Sequence, residues 1–293
     1  MITRTKNRPV LLRRAAESVK RQSFRDLIWV VVNDGGEPEP VEVVTGSAQD
    51  GDPHILVMHH PVSLGMEAAS NRGISACDSD YFVIHDDDDT WEPDFLERTV
   101  GFLSDNNEYG GVVTHSTKVI EEVDGDEVRE IERWPNTPNL LAISIIEMAR
   151  INRFPPISFL VKRSLFEQVG PFDEDMPVLG DWDFALRVLM VADIGVIQEP
   201  LALYHHRAKR ADGGGAYGNT VVEALEVHRT QTTRYRNRKL REDVAAGSLG
   251  LGTILALGTI TELREKTGGP HRPPGLIAFV AKAANSMKRL LLR

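Results

Sequence analysis

The stretch His85-Asp86-Asp87-Asp88-Asp89-Thr90-Trp91 sets four carboxylates side by side in a chain that otherwise disperses its charges. Like charges at that density repel one another and resist burial unless a cation sits among them. Asp86 and Asp88 have the spacing to offer hard oxygens to Mg2+ or Mn2+, which would keep open positions for the oxygens of a diphosphate. A calcium loop of EF-hand type is excluded, because Trp91 stands where that loop needs glycine and no helix leads into it. The plain alternative is a solvated acidic turn. Asp34, in Asn33-Asp34-Gly35-Gly36, can accept from a base or ribose donor or can simply make a turn. Arg4, Lys6 and Arg8 either meet phosphate charge or are ordinary surface charge. Asp181 and Asp183 open a helix, where a carboxylate either caps or serves as a general base. His205 and His206 follow a strand and offer an imidazole to a metal or a phosphate, or else are satisfied structural histidines.

These residues need elements to position them. Pro9 at a first-turn position precedes VLLRRAAESVKRQ, a helix, and LIWVVV at 27–32 reads as a buried strand. HILVMHH at 54–60 is a second strand, a helix runs from Gly65 to Ala76, and YFVIH at 81–85 is the next strand. Strand alternating with helix predicts a parallel sheet covered on both faces, hence an α/β fold. Ligands bind such sheets outside the carboxyl ends of the strands, where Asp34 and Asp86–Asp89 stand. After a helix from Pro93 to Ser104, GGVVTHSTKVI and EVREIERW flank Val123-Asp124-Gly125-Asp126 as a hairpin. A helix through LLAISIIEMAR, a strand at ISFLVKR, helices at SLFEQVG and WDFALRVLMVA, and two strands near IGVIQ and ALYHH complete the pattern.

The chain has 293 residues, 41% hydrophobic and 26% charged, enough for one large domain and an appendage. A formal net charge of -9 argues against a general nucleic-acid binder. The lone cysteine, Cys77, reads as a small buried thiol, and one cysteine suits a reducing cytoplasm. The first residues lack the apolar core of a signal peptide, and no run is long enough to span a bilayer. Gly213-Gly214-Gly215 marks a linker, dividing the chain into 1–212 and a helical extension over 213–293. The stretch Pro274 to Arg293 is apolar and basic at helical spacing, suiting a helix on an anionic membrane surface or one packed on its own domain or a second copy.

Taken together, ITRTKNRPVLLRRAAESVKRQSF, VVVNDGG, SLGMEAASNRGI, YFVIHDDDDTWEPDFL and ISFLVKRSLFEQVGPFDEDMPVLGDWDFALR resemble, in order and spacing, the inverting family 2 glycosyltransferases over about residues 2–207. The resemblance implies a GT-A fold, a Rossmann-like mixed sheet flanked by helices. It maps the nucleobase contact to Asp34, the metal-binding DXD element to Asp86 and Asp88, nucleotide-sugar binding to Asp86 and Asp87 with Asp89 beside them, and the catalytic base to Asp181. Thr3, Arg4 and Arg8 match the nucleotide-binding start, and His206 is a candidate third metal ligand.

The implied cofactor is Mn2+ or Mg2+, and the implied partners are a nucleotide-diphosphate sugar donor and a glycan or lipid-linked acceptor. Cell-surface polysaccharide or glycoconjugate synthesis, in the cytoplasm or at the inner face of the membrane, would suit such an enzyme. Two departures stand out: Gly180 occupies a place that is often Glu in the family's late acidic motif, and only Met1-Ile2 precede the first Thr-rich turn, as in a short first strand or an excised domain. The processive signature QxxRW is absent, implying transfer of one or a few sugars. The competing readings are a haloacid-dehalogenase-like phosphatase using Asp86 and Asp88, since Asp86, Asp88 and Thr90 also spell its nucleophile motif, and a sugar-nucleotide-binding module without catalysis.

Overall fold

The computed structural model describes residues 1–46, 53–207 and 225–251. The chain opens with β1 (Ile2–Thr5), α1 (Pro9–Lys20), β2 (Ile28–Asp34), α2 (Pro38–Thr45), β3 (His54–His60) and α3 (Met66–Ile74). β4 (Tyr81–Phe82), β5 (Ile84–Asp86), β6 (Thr90–Trp91) and α4 (Phe95–Asp105) follow, then the hairpin β7 (Tyr109–Asp124) and β8 (Glu127–Pro135). α5 (Ile145–Arg150), β9 (Phe159–Lys162), α6 (Arg163–Val169), α7 (Gly180–Leu189), β10 (Asp193–Arg207) and α8 (Leu225–Ala245) complete the described elements.

Two sheets organise the chain up to β10. The first is parallel, in the order β3-β2-β1-β5; the second is mixed, in the order β4-β9-β7-β10-β6 with β8 on β7. α1 buries Leu12, Ala16 and Val19 against Trp29 and Val31 of β2, the helical spacing meeting the strand's inward positions. The second core gathers Trp91, Phe95, Leu103, Val112, Leu160 and Ala202. There the Trp91 and Phe95 rings stack with centroids 4.4 Å apart, and the Trp91 indole N–H donates to the Ile157 carbonyl at 2.8 Å.

Three expectations needed revision. The single strand over 81–85 is two: β4 pairs with β9 in the second sheet, and β5 pairs with β1 in the first. The chain thus crosses between sheets at Val83 and returns with β6 on β10, which leaves Asp86–Asp89 where the sheets meet. The two strands near IGVIQ and ALYHH are one strand, β10, with register shifts on either side of Pro200, which lacks a ladder N–H. The helix through LLAISIIEMAR is only α5, beginning after Ser144.

The chain divides into two compact units, Met1–Gln231 and Thr232–Arg293. The linker glycines at 213–215 and the helix over 274–293 lie outside the described residues. In the second unit α8 carries the pair Lys239–Glu242 at 3.1 Å. Among the described residues no helix is long and apolar enough to cross a membrane. Cys77 is half-buried.

Candidate active site

The register of the first sheet places Arg4 beside Asp86, and the rest of the site grows from that pair. Arg4 donates from Nε to Asp86 Oδ1 at 2.9 Å, adds Nη2 to the same oxygen, and reaches Glu67 Oε2 of α3 from Nη1 at 3.2 Å. Arg8, just before α1, forks onto Asp87, with Nη2 2.6 Å from Oδ1 and Nε 3.1 Å from Oδ2. Thr5 donates to Asp87 Oδ2 at 2.7 Å. Asp88 Oδ2 takes Arg207, at the end of β10, at 2.5 Å and Arg8 at 3.3 Å, while Arg14 donates to the Asp88 carbonyl. Asp89 turns inward, and its Oδ1 accepts the His205 backbone N–H at 2.7 Å. The four carboxylates therefore have different surroundings: Asp87 and Asp89 are buried, while Asp86 and Asp88 keep side-chain exposures of 24% and 13%.

Electrostatics divide them further. Burial pushes Asp88 up, but Arg8 and Arg207 outweigh it and hold the carboxyl well below its usual range. Burial prevails at Asp87, pushed up to about 6 against the pull of Arg8, and at Asp89, raised well above the usual value with Asp88 adding to the shift. Behind this row Glu121 receives Arg14 at 2.5 Å and His205 Nδ1 at 2.8 Å, and His205 Nε2 lies 2.9 Å from the Thr90 hydroxyl. Burial lowers the His205 pKa, so a neutral ring that donates to Glu121 and accepts from Thr90 fits the network.

A cavity of about 630 Å³ opens in front of this row, lined among others by Arg4, Arg8, Glu67, Asp86, Asp88 and Asp181. Asp181 is delivered by the first turn of α7, and its Oδ2 accepts the Asn152 side-chain amide at 2.8 Å. Burial raises its pKa, while the Trp182 N–H, Arg4 and Asn152 favour the ionised form. Asp183 points elsewhere, into an ion pair with Arg187 at 2.8 Å, and of the two only Asp181 lines the cavity.

Three sequence candidates stand outside this arrangement. Thr3 is fully buried, its hydroxyl accepting the Trp29 indole N–H at 2.8 Å, so it supports the sheet beneath the site. Asp34 has both carboxylate oxygens filled by its own chain: Oδ1 by His60 at 2.8 Å and the Leu64 N–H at 2.8 Å, Oδ2 by the Ser63 hydroxyl at 2.7 Å and the Gly65 N–H at 3.0 Å. Those donors outweigh burial and lower its pKa, and its demonstrable work is to hold the 60–65 loop. His206 is 2% exposed and packs edge-on against Tyr204 at 4.3 Å. Burial lowers its pKa to about 4, and Tyr204, not His206, lines the cavity. Among the described residues no three His, Cys, Asp or Glu side chains are grouped to hold a metal, so Asp86, Asp88 and His206 are not assembled as one ligand set.

Asp86 and Asp88 do fit a cation that is completed from outside the protein. Among the described residues the side-chain hydrogen bonds to Asp86 all fall on Oδ1 and those to Asp88 all fall on Oδ2, leaving one oxygen of each for another partner. Charge points the same way: among the cavity's lining residues Glu67, Asp86, Asp88, Asp89 and Asp181 make five carboxyls against the three guanidiniums of Arg4, Arg8 and Arg153, and the pKa values of Glu67, Asp89 and Asp181 are raised by burial and by their acidic neighbours. The surplus is what a divalent cation would relieve. Glu67, Asn152, Arg14 and Arg207 escaped the sequence reading. Only Glu67 left a trace there, as an acidic residue among the small residues of an otherwise buried helix face.

A parallel sheet joined to a mixed one, with an acidic row where they meet, defines the GT-A class of α/β fold. Residues 1–170 match the model described as glycosyl transferase family 2, and the chain belongs to that family of transferases. A pre-mycofactocin glycosyltransferase of Mycobacterium tuberculosis is 28% identical over 248 residues, covering 81% of this chain and 49% of the relative, so the chain spans about half that protein's length. The structure of the mannosyltransferase PcManGT from Pyrobaculum calidifontis in complex with GDP-Man and Mn2+ superposes with a TM-score of 0.59 at 20% identity, covering 98% of this chain and 79% of that one. S. aureus TarS 1-349 in complex with UDP-GlcNAc gives 0.58 at 15% identity over 71% of this chain and 58% of that one. The family favours group transfer over the phosphatase reading.

Proposed function

We propose that the chain transfers one or a few sugars from a nucleotide-diphosphate sugar to an acceptor hydroxyl with inversion at the anomeric carbon. The observation that carries this is a single cavity, of a volume ordinary for a ligand site, whose wall holds Asp181 together with Asp86, Asp88, Arg4 and Arg8. Asp181 takes the proton of the acceptor hydroxyl as its oxygen bonds to the anomeric carbon, and the bond from that carbon to the diphosphate breaks on the opposite face. Arg8 and Arg4 offer guanidinium charge to the diphosphate, and the carboxylates paired with them keep them oriented before the donor arrives. Asp86 and Asp88 would hold Mn2+ or Mg2+, which when bound supplies positive charge to the leaving diphosphate. The relatives' named complexes, with GDP-Man and Mn2+ in one and UDP-GlcNAc in the other, support the donor class and the cation.

An acceptor carrying a lipid or another apolar group is supported by the cavity rim. Ile151 lines the cavity at 54% exposure, and Leu141, Ile145 and Ile146 are exposed close by in sequence.

The test is Asp181→Asn beside Asp88→Ala. Asp181→Asn should bind the nucleotide normally and lose about 10²- to 10⁴-fold in kcat, the usual worth of a general base. Asp88→Ala should weaken nucleotide binding only when Mn2+ is present. Turnover close to normal in Asp181→Asn would sink the assignment.

A further inference from the structure

Position 180 is a glycine for a reason that lies on another helix. A Cβ built at Gly180 would fall 2.1 Å from Glu67 Oε1 and 2.4 Å from Glu67 Cδ, so the Glu67 carboxyl fills the space of a side chain at the first residue of α7. Glu67 is 5% exposed, lines the same cavity as Asp181, and accepts from Arg4 at 3.2 Å and from the Gly180 backbone N–H. Arg4 in turn holds Asp86, so one carboxyl links the start of α7 to the acidic row. The residue before the glycine, Leu179, is held at φ +74°, a left-handed conformation that costs a leucine about 1–2 kcal/mol and persists only under outside constraint. The Glu67–Gly180 contact is such a constraint.

We propose that Glu67 is a positioning residue for transfer: by occupying the side-chain space at Gly180 and pairing with Arg4, it sets the entry of α7 and with it the placement of Asp181. This rests on the reading of Asp181 as the base. Burial raises the Glu67 pKa to about 7, with Asp181 and Asp86 adding to the rise and Arg4 opposing it, which agrees with a carboxyl wedged among other acids.

The test combines five variants: Glu67→Ala, Glu67→Gln, Gly180→Ala, Gly180→Ala in the Glu67→Ala background, and the exchange Glu67→Ala with Gly180→Glu. All are assayed well below their melting temperatures. Glu67→Ala should lose at least tenfold in kcat with the donor KM within about twofold of the parent. Glu67→Gln, which keeps an acceptor oxygen in place, should fall between them. Gly180→Ala should lower the melting temperature of the parent and have little effect in the Glu67→Ala background, a fold-only readout of the contact. The exchange should recover at least tenfold in kcat over Glu67→Ala by returning a carboxyl to the same volume. Full kcat in Glu67→Ala, or an exchange no better than Glu67→Ala alone, would overturn the proposal. If Asp181→Asn retains turnover, the base assignment fails whatever Glu67 does; if Asp181→Asn is inactive while Glu67→Ala is fully active, only the role of Glu67 fails.

Discussion

Four adjacent aspartates do four different things because each side chain meets a different partner. Asp87 and Asp89 are buried against Arg8 and the His205 backbone, while Asp86 and Asp88 keep more side-chain exposure, with one oxygen each tied to arginine. Asp181, the proposed base across the cavity, is tuned by similar means. Asp181 faces the Trp182 N–H, Arg4 and Asn152, which favour its ionised form, and Asp86, which with burial disfavours it. Its folded pKa is raised, so activity that needs the carboxylate is lost on the acid side sooner than an ordinary aspartate would dictate. Asn152→Ala removes one of the three stabilising partners and should move that acid limb further toward neutral pH. The loss in kcat should then be larger at pH 6 than at pH 8. Profiles of kcat against pH for the two proteins check this, and an equal loss at both pH values would mean that Asn152 acts on geometry and not on the charge of Asp181.

At the scale of elements, the end of β2 and the loop after β3 form one unit. Asp34 gathers His60, Ser63, Leu64 and Gly65, and next to it Gly35, at φ +74°, comes so close that a Cβ would sit 2.3 Å from the Ser63 nitrogen. Gly35→Ala therefore meets backbone that cannot rotate away, and should cost more than the roughly 1 kcal/mol of a left-handed alanine alone. Asp34→Ala should cost about 3 kcal/mol by leaving several donors without their acceptor. Urea midpoints at constant slope measure both, and a neutral Asp34→Ala would return that residue to ligand contact alone. The strand and helix order was legible beforehand, since the periodicities at 9–20, 28–34 and 54–60 are unambiguous. The split at Val83 was not, because a short apolar run reads the same whether its two halves pair in one sheet or two. Asp86, Asp88 and Asp181 were legible as a set only through the resemblance to a family. Arg14 and Arg207 were hidden, because an isolated charge takes its meaning from a partner far along the chain: Glu121 lies 107 residues beyond Arg14, and Asp88 lies 119 residues before Arg207.

For the molecule as a whole, the surplus of carboxyls at the cavity would make the proposed donor and cation binding interdependent. A nucleoside diphosphate entering alone would meet more negative than positive charge, and a cation entering alone would lack the phosphate oxygens that complete its shell. Each should therefore raise the affinity of the other by the same factor. A nucleoside diphosphate in EDTA should barely shift the melting temperature, whereas with Mn2+ at about 100 times the dissociation constant it should stabilise by about 2.7 kcal/mol. For a unit of this size that corresponds to a rise of about 5–10 °C. Asp88→Ala should abolish the cation-dependent part while leaving the ligand-free protein folded, since its partners Arg8 and Arg207 keep Asp87 and Glu121 nearby, at 2.6 Å and 3.9 Å. Thermal melts across a panel of nucleoside diphosphates, with and without Mn2+, measure the coupling directly. A shift of equal size in EDTA would mean that Arg4 and Arg8 hold the diphosphate unaided, and that the surplus carboxyls at the junction of the sheets answer to the acceptor instead of a metal.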